Sequence, residues 1–469
     1  MTGLRRFGLA AALAAALAIS GAACRGGSPG SSAAPASPGP GTVAPGGSVV
    51  PSAPGRVKPG VEVLLEKRLD LIRGKRVGLI TNPSGVDSKF RSTADLLRST
   101  PGVTLAALYA PEHGVRGNAQ AGEYVPFYMD EKLKIPVFSL YGPSMKPPAG
   151  MLRNIDEYMR AFDTTHADKK VAPSMTRDID VLIYYIQDVG TRIYTYEATM
   201  AYAMQAAAEA GIDYVVLDRP DPITGRMTEG PILEYPAFSS FVGLYPVPLR
   251  FGLTIGELAR LYNDRFLEKK ARLTVVPMEG YTRDMWFDET GLPWVIPSPN
   301  MPTLDTATVY PGQVFLEGTD VSEGRGTTRP FETFGAPWID GFELARALNG
   351  LGLPGVVFRE QWFTPLFSKF KDQLCGGCQV HVTDRNAYRP LAAALHVIKT
   401  VRAMYPGKFA FHADYFDKIM GTSSVRKALE AGTSVEDIVA GWADGLGRFG
   451  ALRKSALLYG PGAPHPPTD

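Results

Sequence analysis

The stretch Leu108–Glu123, LYAPEHGVRGNAQAGE, sets Glu112 and His113 between Pro111 and Gly114 directly after an apolar run. A buried strand that closes on two titratable side chains and a run of glycines has the layout of a site more than of a simple turn. Several chemistries fall away on inspection. No G-x-G-x-x-G follows the first strand and no G-x-x-x-x-G-K-[ST] occurs, so nucleotide cofactors have no cradle. No G-x-S-x-G stands at a strand-to-helix turn, and the six histidines are scattered rather than grouped for a metal. Carboxylates remain. Glycoside hydrolysis needs one carboxylic acid to protonate the leaving oxygen and commonly a second carboxylate for water or the anomeric carbon. Glu112 fits the acid, Asp188 and Glu123 are candidates for a more solvated partner, and Tyr194 and Tyr196 for support of a sugar ring. The competing reading makes Glu112 a strand-end carboxylate held by a neighbouring arginine.

Positioning such groups takes a rigid frame, and the pattern from Gly60 onward supplies one. KRVGLITNPSG reads as a strand, STADLLRST as a helix, VTLAALYAPEHG and IPVFSLYG as further strands. DIDVLIYYIQDVG, YTYEATMAYAMQAAAEAG and IDYVVLDRPDP then give strand, helix and strand in succession, a unit that implies a parallel sheet with right-handed crossovers. Each apolar run ends in polar residues: Asn82, Glu112-His113, Asp188 with Arg192, and Asp218-Arg219. Ligands of open parallel sheets sit beyond the carboxyl ends of the strands, so these ends predict one cleft, although Asn-Pro and Asp-Arg-Pro also build turns without any ligand. TIGELARLYNDRFLEKK reads as an amphipathic helix and ARLTVVPMEGY as a strand. The Pro- and Gly-rich run from Trp294 to Trp338 reads as a long functional or crossing loop, and the polar segment between Pro143 and Asp178 as a surface insertion beside the cleft. From about Tyr310 on, strands (GVVFREQWFTPLF, CQVHVTD) and helices (PLAAALHVIKTVRAMY, SVEDIVAGWADGLGRF) mix as a second, smaller α+β domain.

At 469 residues the chain is long enough for two or three domains, and 45% apolar residues make it globular. A net charge of +2, without a basic stripe, argues against nucleic acid as a partner. The N-terminus carries Arg5 and Arg6, an apolar run from Phe7 to Ile19 and small residues before Cys24, the composition of an export signal over residues 1–24. Gly21-Ala22-Ala23-Cys24 resembles a lipobox, which predicts lipidation of Cys24, a membrane anchor and a place in the cell envelope. Residues 25–59, rich in Ser, Pro, Ala and Gly, cannot bury enough to fold and read as a tether. Cys375 and Cys378, spaced as CGGC, are open to three readings: packed thiols, a local disulfide, or a functional pair.

Taken in order, GLITNPSGV, APEHGVRGNAQAGE, DVLIYYIQDVGTRIYTYEATM, VVLDRPDPITG, SPNMPT, YPGQVFLEGTDVSEGRGTTRPFETFGAPW and VHVTD resemble the successive motifs of the bacterial exo-β-N-acetylmuramidases, a family once known only as a domain of unknown function. The resemblance runs from about Gly60 to the C-terminus. It implies a Rossmann-like domain over residues 60–310, a C-terminal domain over 311–469 that completes the cleft, and release of single N-acetylmuramic acid units from non-reducing ends of peptidoglycan-derived muropeptides or disaccharides. No cofactor and no metal are implied. The family's catalytic glutamate carries over to Glu112. Asn82, His113, Arg116, Asp188, Arg192, Tyr194, Asp218, Arg219, Asn300, Glu317 and Arg325 also match the motifs. The second catalytic group is open among Asp188, Asp218, Glu317 and the substrate's own acetamido oxygen. The lactyl carboxylate of N-acetylmuramic acid calls for a guanidinium fork, for which Arg116, Arg192, Arg219 and Arg325 are candidates. Phe251 departs from the family pattern, where His or Tyr is expected. A lipoprotein that binds muropeptides without turnover is the alternative function.

Overall fold

The computed structural model describes residues 56–142, 145–153, 155 and 178–461. The export signal, Cys24, the expected tether up to residue 55 and most of the polar insertion lie outside the described residues; at the end of the expected tether Val57 is buried and Lys58 bridges to Glu279. Alternation in the first segment comes out as expected: β1 (Arg76–Thr81), β2 (Thr104–Ala110), a two-residue β3 (Tyr128–Met129) and β4 (Pro136–Ser139), followed by β5 (Val181–Tyr185) and β6 (Asp213–Leu217). Helix α1 (Gly60–Lys67) precedes β1, and α2 (Thr93–Ser99), capped by the Ser92 hydroxyl accepting from the Asp95 N–H, joins β1 to β2. Every residue of β5 is buried, as a strand covered on both faces requires. Between β5 and β6 runs α3 (Tyr196–Ala210), whose alanine-rich sequence favours helix and whose end is turned by Gly211 at φ 65°.

A hairpin of β7 (Glu229–Ile232) and β8 (Pro248–Arg250) follows, then α4 (Ile255–Arg265) and β9 (Arg272–Val276). Thr254 and Glu257 cap α4 reciprocally, the Thr254 hydroxyl accepting from the Glu257 N–H and the Glu257 carboxylate from the Thr254 N–H. The main sheet runs β3-β4-β2-β1-β5-β6-β9, parallel except for the β3 edge. Counting the parallel strands in chain order gives 3-2-1-4-5-6, the Rossmann order, with the switch point between β1 and β5.

The C-terminal portion contains α5 (Leu304–Gln313), β10 (Thr333–Ala336), α6 (Gly341–Asn349), β11 (Val356–Phe363), β12 (Cys375–Val382), α7 (Pro390–Met404) and α8 (Ala413–Met420), with three further helices after it. Its sheet, β10-β12-β11, is antiparallel. Here the sequence reading needs correction in two places. The run expected as a long loop contains α5, because the Thr303 hydroxyl caps it and Thr306 anchors it to the buried Glu332 carboxylate, overriding the Pro and Gly near its end. The helix expected over Ser434–Phe449 is two, Val435–Ala440 and Ala443–Arg453, parted at Gly441.

CGGC begins β12, the central strand of the small sheet. A Cβ added at Gly377 would lie 1.9 Å from the Phe334 carbonyl oxygen, so the glycines are there for close strand packing. Cys375 and Cys378 are both free and buried. Standing three residues apart on one strand, they face opposite sides of the sheet, which rules out the local disulfide. Burial pushes their thiols up to about 11 and about 12, so neither is a thiolate at neutral pH.

Candidate active site

Beyond the carboxyl ends of β2, β1 and β5 lies an open cleft of about 460 Å³. Glu112 reaches it because the chain turns sharply after β2: His113 takes φ 72° and Gly114 φ 77°, left-handed values that a non-glycine residue adopts only when its surroundings hold it there. The turn is fixed by the His113 Nδ1–H donating to the Ala119 carbonyl at 2.8 Å. A carbonyl only accepts, so the neutral ring keeps Nε2 as an acceptor. Burial lowers the His113 pKa, which the neighbouring Glu112 charge only partly offsets.

Both oxygens of Glu112 are engaged. Oε1 accepts from the Gly122 N–H at 2.9 Å and Oε2 from the Thr195 hydroxyl at 2.8 Å. Thr195 stands at the start of α3, just past β5, so the two strand ends on either side of β1 meet at this carboxylate. Among the described residues no arginine holds it, contrary to the competing reading of Glu112. Beneath, Asn82 at the end of β1 donates to the Tyr196 hydroxyl and to the Pro297 carbonyl, both at 2.9 Å. It thereby ties α3 to the loop that brings Ser298, Asn300 and Met301 to the cleft.

The other wall comes from the C-terminal portion. Glu317 Oε1 accepts from Arg325 Nη2 at 2.7 Å and Nε at 3.1 Å, while its Oε2 accepts from the Tyr415 hydroxyl at 2.9 Å. The Arg325 guanidinium lies over the Phe331 ring at 5.0 Å. Burial works against its charge, but Glu317 and Glu323 raise its pKa above the ordinary value, so the guanidinium stays charged. Aromatic rings line the space between the walls: Tyr141 packs against Phe241 at 5.6 Å, and Tyr194 edge-on to Tyr310 at 5.8 Å.

Six of the twelve motif residues line this cleft, Glu112, His113, Tyr194, Asn300, Glu317 and Arg325, and so does Tyr196. The other six do not, and each has a separate occupation. Asn82 positions Tyr196, as above. Arg116 extends to the Asp130 carboxylate. Arg192 is fully buried and donates to four backbone carbonyls, those of Pro231, Val247, Ile419 and Met420. Arg219 bonds the Gln187 amide oxygen and the Tyr185 hydroxyl, and its guanidinium lies over the Tyr185 ring. Asp218 accepts from the Thr254 and Tyr459 hydroxyls and the Gly256 N–H at the start of α4. Phe251 belongs to the core rather than to a cleft wall, and Glu123 folds onto the Gln120 N–H. Sequence reasoning overlooked Thr195, Gly122, Tyr415 and Lys418. Thr195 sits inside the quoted GTRIYTYEATM run, whereas Tyr415 and Lys418 lie in a helix with no motif to mark it.

Asp188 is the remaining one. Its Oδ1 accepts from the Gly190 N–H at 2.8 Å, and Oδ2 has no hydrogen-bond partner among the described residues. Burial pushes its pKa up to about 8, against the Gly190 hydrogen bond and with help from the Glu197 charge. In the unfolded chain the group titrates near 3.8. Between those values the folded chain holds a proton that the unfolded chain has lost, so this contribution to stability is complete below the lower pKa and vanishes as pH rises through the upper one. Asp188→Asn, which keeps the shape without titrating, is expected to flatten the decline of the thermal midpoint between about pH 5 and about pH 9. An unchanged slope would place the proton on another group.

In sequence, residues 77–163 and 158–305 match the family described as Exo-beta-N-acetylmuramidase NamZ, N-terminal, and residues 308–459 the one described as Exo-beta-N-acetylmuramidase NamZ, C-terminal. The chain is 49% identical over 405 residues to the peptidoglycan beta-N-acetylmuramidase NamZ of Bacillus subtilis (strain 168), covering 86% of this chain and 92% of that protein. Two crystal structures of DUF1343 family proteins from Bacteroides fragilis NCTC 9343 share the fold. One has a TM-score of 0.75 and 38% identity over 86% of this chain and 99% of its own. The other has a TM-score of 0.67 and 30% identity over 87% of this chain and all of its own (100%).

Proposed function

This chain belongs to the exo-β-N-acetylmuramidase NamZ family of glycoside hydrolases, and on that premise we propose that it removes terminal N-acetylmuramic acid from the non-reducing ends of peptidoglycan fragments, with Glu112 as the general acid. The observation that carries the reading is the seat of Glu112: a carboxyl group at the mouth of the Rossmann switch point, aimed into an open cleft and held from two sides by Gly122 and Thr195. A proton donor must be fixed in place before the substrate arrives, since general acid catalysis depends on geometry first.

In this mechanism Glu112 delivers its proton to the glycosidic oxygen as the bond to the anomeric carbon breaks. Positive charge develops on the sugar until water bonds to the anomeric carbon, and the proton that the water gives up restores the Glu112 acid. Glu317 is the second carboxylate of the cleft, and its negative charge faces that development while Arg325 and Tyr415 hold its orientation. This assigns to Glu317 the role for which Asp188 and Asp218 were the other candidates, because neither of those reaches the cleft. Tyr141, Phe241, Tyr194 and Tyr310 supply flat apolar surface for the sugar faces. The test is release of p-nitrophenol from the 4-nitrophenyl β-glycoside of N-acetylmuramic acid by the wild-type chain beside Glu112→Gln.

The same proposal extends to location. The composition of residues 1–59 supports export, lipidation of Cys24 and a tether that holds the domain away from a membrane of the cell envelope. Fractionation checks it: the wild-type chain should sediment with membranes and Cys24→Ala should not, whereas equal partition of the two would remove the anchor.

A further inference from the structure

N-Acetylmuramic acid differs from N-acetylglucosamine by a lactyl ether that ends in a carboxylate, so a site specific for it needs a cation with no prior engagement. The four arginines nominated for this from the sequence are all committed. Arg116, Arg192 and Arg219 lie outside the cleft on their own partners. Arg325 lines it but is bound by Glu317 and flanked by Glu323 at 3.5 Å. Lys369, nearby, donates to three backbone carbonyls and pairs with Glu323. His113 is kept neutral by burial.

Among the described residues, one cation lining the cleft is left. Lys418 stands on α8 three residues after Tyr415, so the two share a helix face, and both reach the cleft. Its side chain is exposed, and among the described residues its ammonium has no ion pair or hydrogen bond. The helix that carries it is pinned at both flanks: Arg192 holds the carbonyls of Ile419 and Met420, and Asp417 is clamped by Arg426 at 2.8 Å. A charged group on a fixed helix, unpaired at the rim of a cleft whose other cation, Arg325, is already bound by Glu317, is suited to an anionic substituent of the ligand.

We propose that Lys418 recognises the lactyl carboxylate of N-acetylmuramic acid and so selects this sugar over N-acetylglucosamine. The inference rests on the muramidase reading above and supplies the specificity determinant it lacks. An ammonium on a long stem accommodates a carboxylate that itself swings on an ether bond, where a planar fork would demand one orientation. The neutral sugar leaves Lys418 solvated and gains nothing from it. A lactyl group whose carboxylate is masked as an amide is treated likewise, so the cleft distinguishes bare from peptide-bearing sugars by charge.

The experiment measures kcat and KM of the full chain and of Lys418→Met, Lys418→Arg and Lys418→Glu on three 4-nitrophenyl β-glycosides: N-acetylmuramic acid, its lactyl methylamide and N-acetylglucosamine. Calorimetric binding of free N-acetylmuramic acid runs in parallel. A charge-assisted hydrogen bond is worth roughly 10- to 100-fold in affinity. Lys418→Met should raise KM for the acid by about that factor, with the loss in KM rather than in kcat. The penalty should shrink on the amide, Lys418→Arg, which keeps the charge but not the free orientation, should recover part of it, and Lys418→Glu should be worse than Met. An unmoved KM and dissociation constant in Lys418→Met, or an equal loss on acid and amide, would overturn the proposal. Failure of the muramidase reading looks different: no turnover by the wild-type chain, with binding still dependent on Lys418.

Discussion

Glu112→Gln is expected to slow glycoside cleavage by roughly 10²- to 10⁴-fold, the usual worth of a positioned general acid, without unfolding the chain. The amide has the shape of the carboxylic acid and its oxygen still accepts from either the Gly122 N–H or the Thr195 hydroxyl, so the turn after β2 keeps its anchor. What it cannot do is give up a proton. The loss should therefore appear in kcat with a thermal midpoint close to that of the wild type. A drop of less than about tenfold would move the proton donor to another residue. A collapse of the midpoint would mean that the carboxylate is structural.

Arg192→Met should show the reverse pattern, a large loss of stability. Arg192 has no exposed surface and its guanidinium donates to four carbonyls, at 2.8 Å to Val247 and Met420, 3.2 Å to Ile419 and 3.3 Å to Pro231. Removing it takes a donor from each of four carbonyls, of which that of Val247 still accepts from the Leu233 N–H at 3.3 Å. At about 1–3 kcal/mol for each unsatisfied group, the chain should lose roughly 4 kcal/mol or more, measured by denaturant unfolding. Lys at this position offers one ammonium in place of a planar fork and should recover only part. Because these carbonyls belong to the β7–β8 segment and to the end of α8, the same residue fixes the helix that carries Tyr415 and Lys418. Stability within about 1 kcal/mol of wild type together with a selective rise in KM would instead return Arg192 to the substrate, as the sequence had suggested.

The sheet was readable in the sequence because its strands are short apolar runs, each followed by polar residues, and because strand, helix and strand fall in immediate succession around α3. Glu112 was readable for the same reason: an ionisable pair at the end of a buried run has few structural duties. The six motif residues that lie outside the cleft do so from a common cause. Polar residues at strand ends also cap helices and tie loops, and sequence cannot separate Asp218, which receives the start of α4, from Glu112, which faces open space. Arginine type and spacing likewise say nothing of whether a guanidinium meets backbone carbonyls, as Arg192 does, or a ligand. Lys418 was invisible for the opposite reason. It lies in an unremarkable amphipathic helix and reaches the cleft only because the C-terminal portion folds back over the switch point.

The central claim is turnover of a terminal N-acetylmuramic acid at Glu112. Its most direct measurement is mass-spectrometric product analysis of a defined glycan with N-acetylmuramic acid at the non-reducing end, incubated with the full chain and with Glu112→Gln. Free N-acetylmuramic acid released one unit at a time by the wild-type chain, and none above background from a Glu112→Gln chain that still binds the glycan, is the expected result. Binding by both chains with no sugar released by either would contradict it and make the cleft that of a receptor.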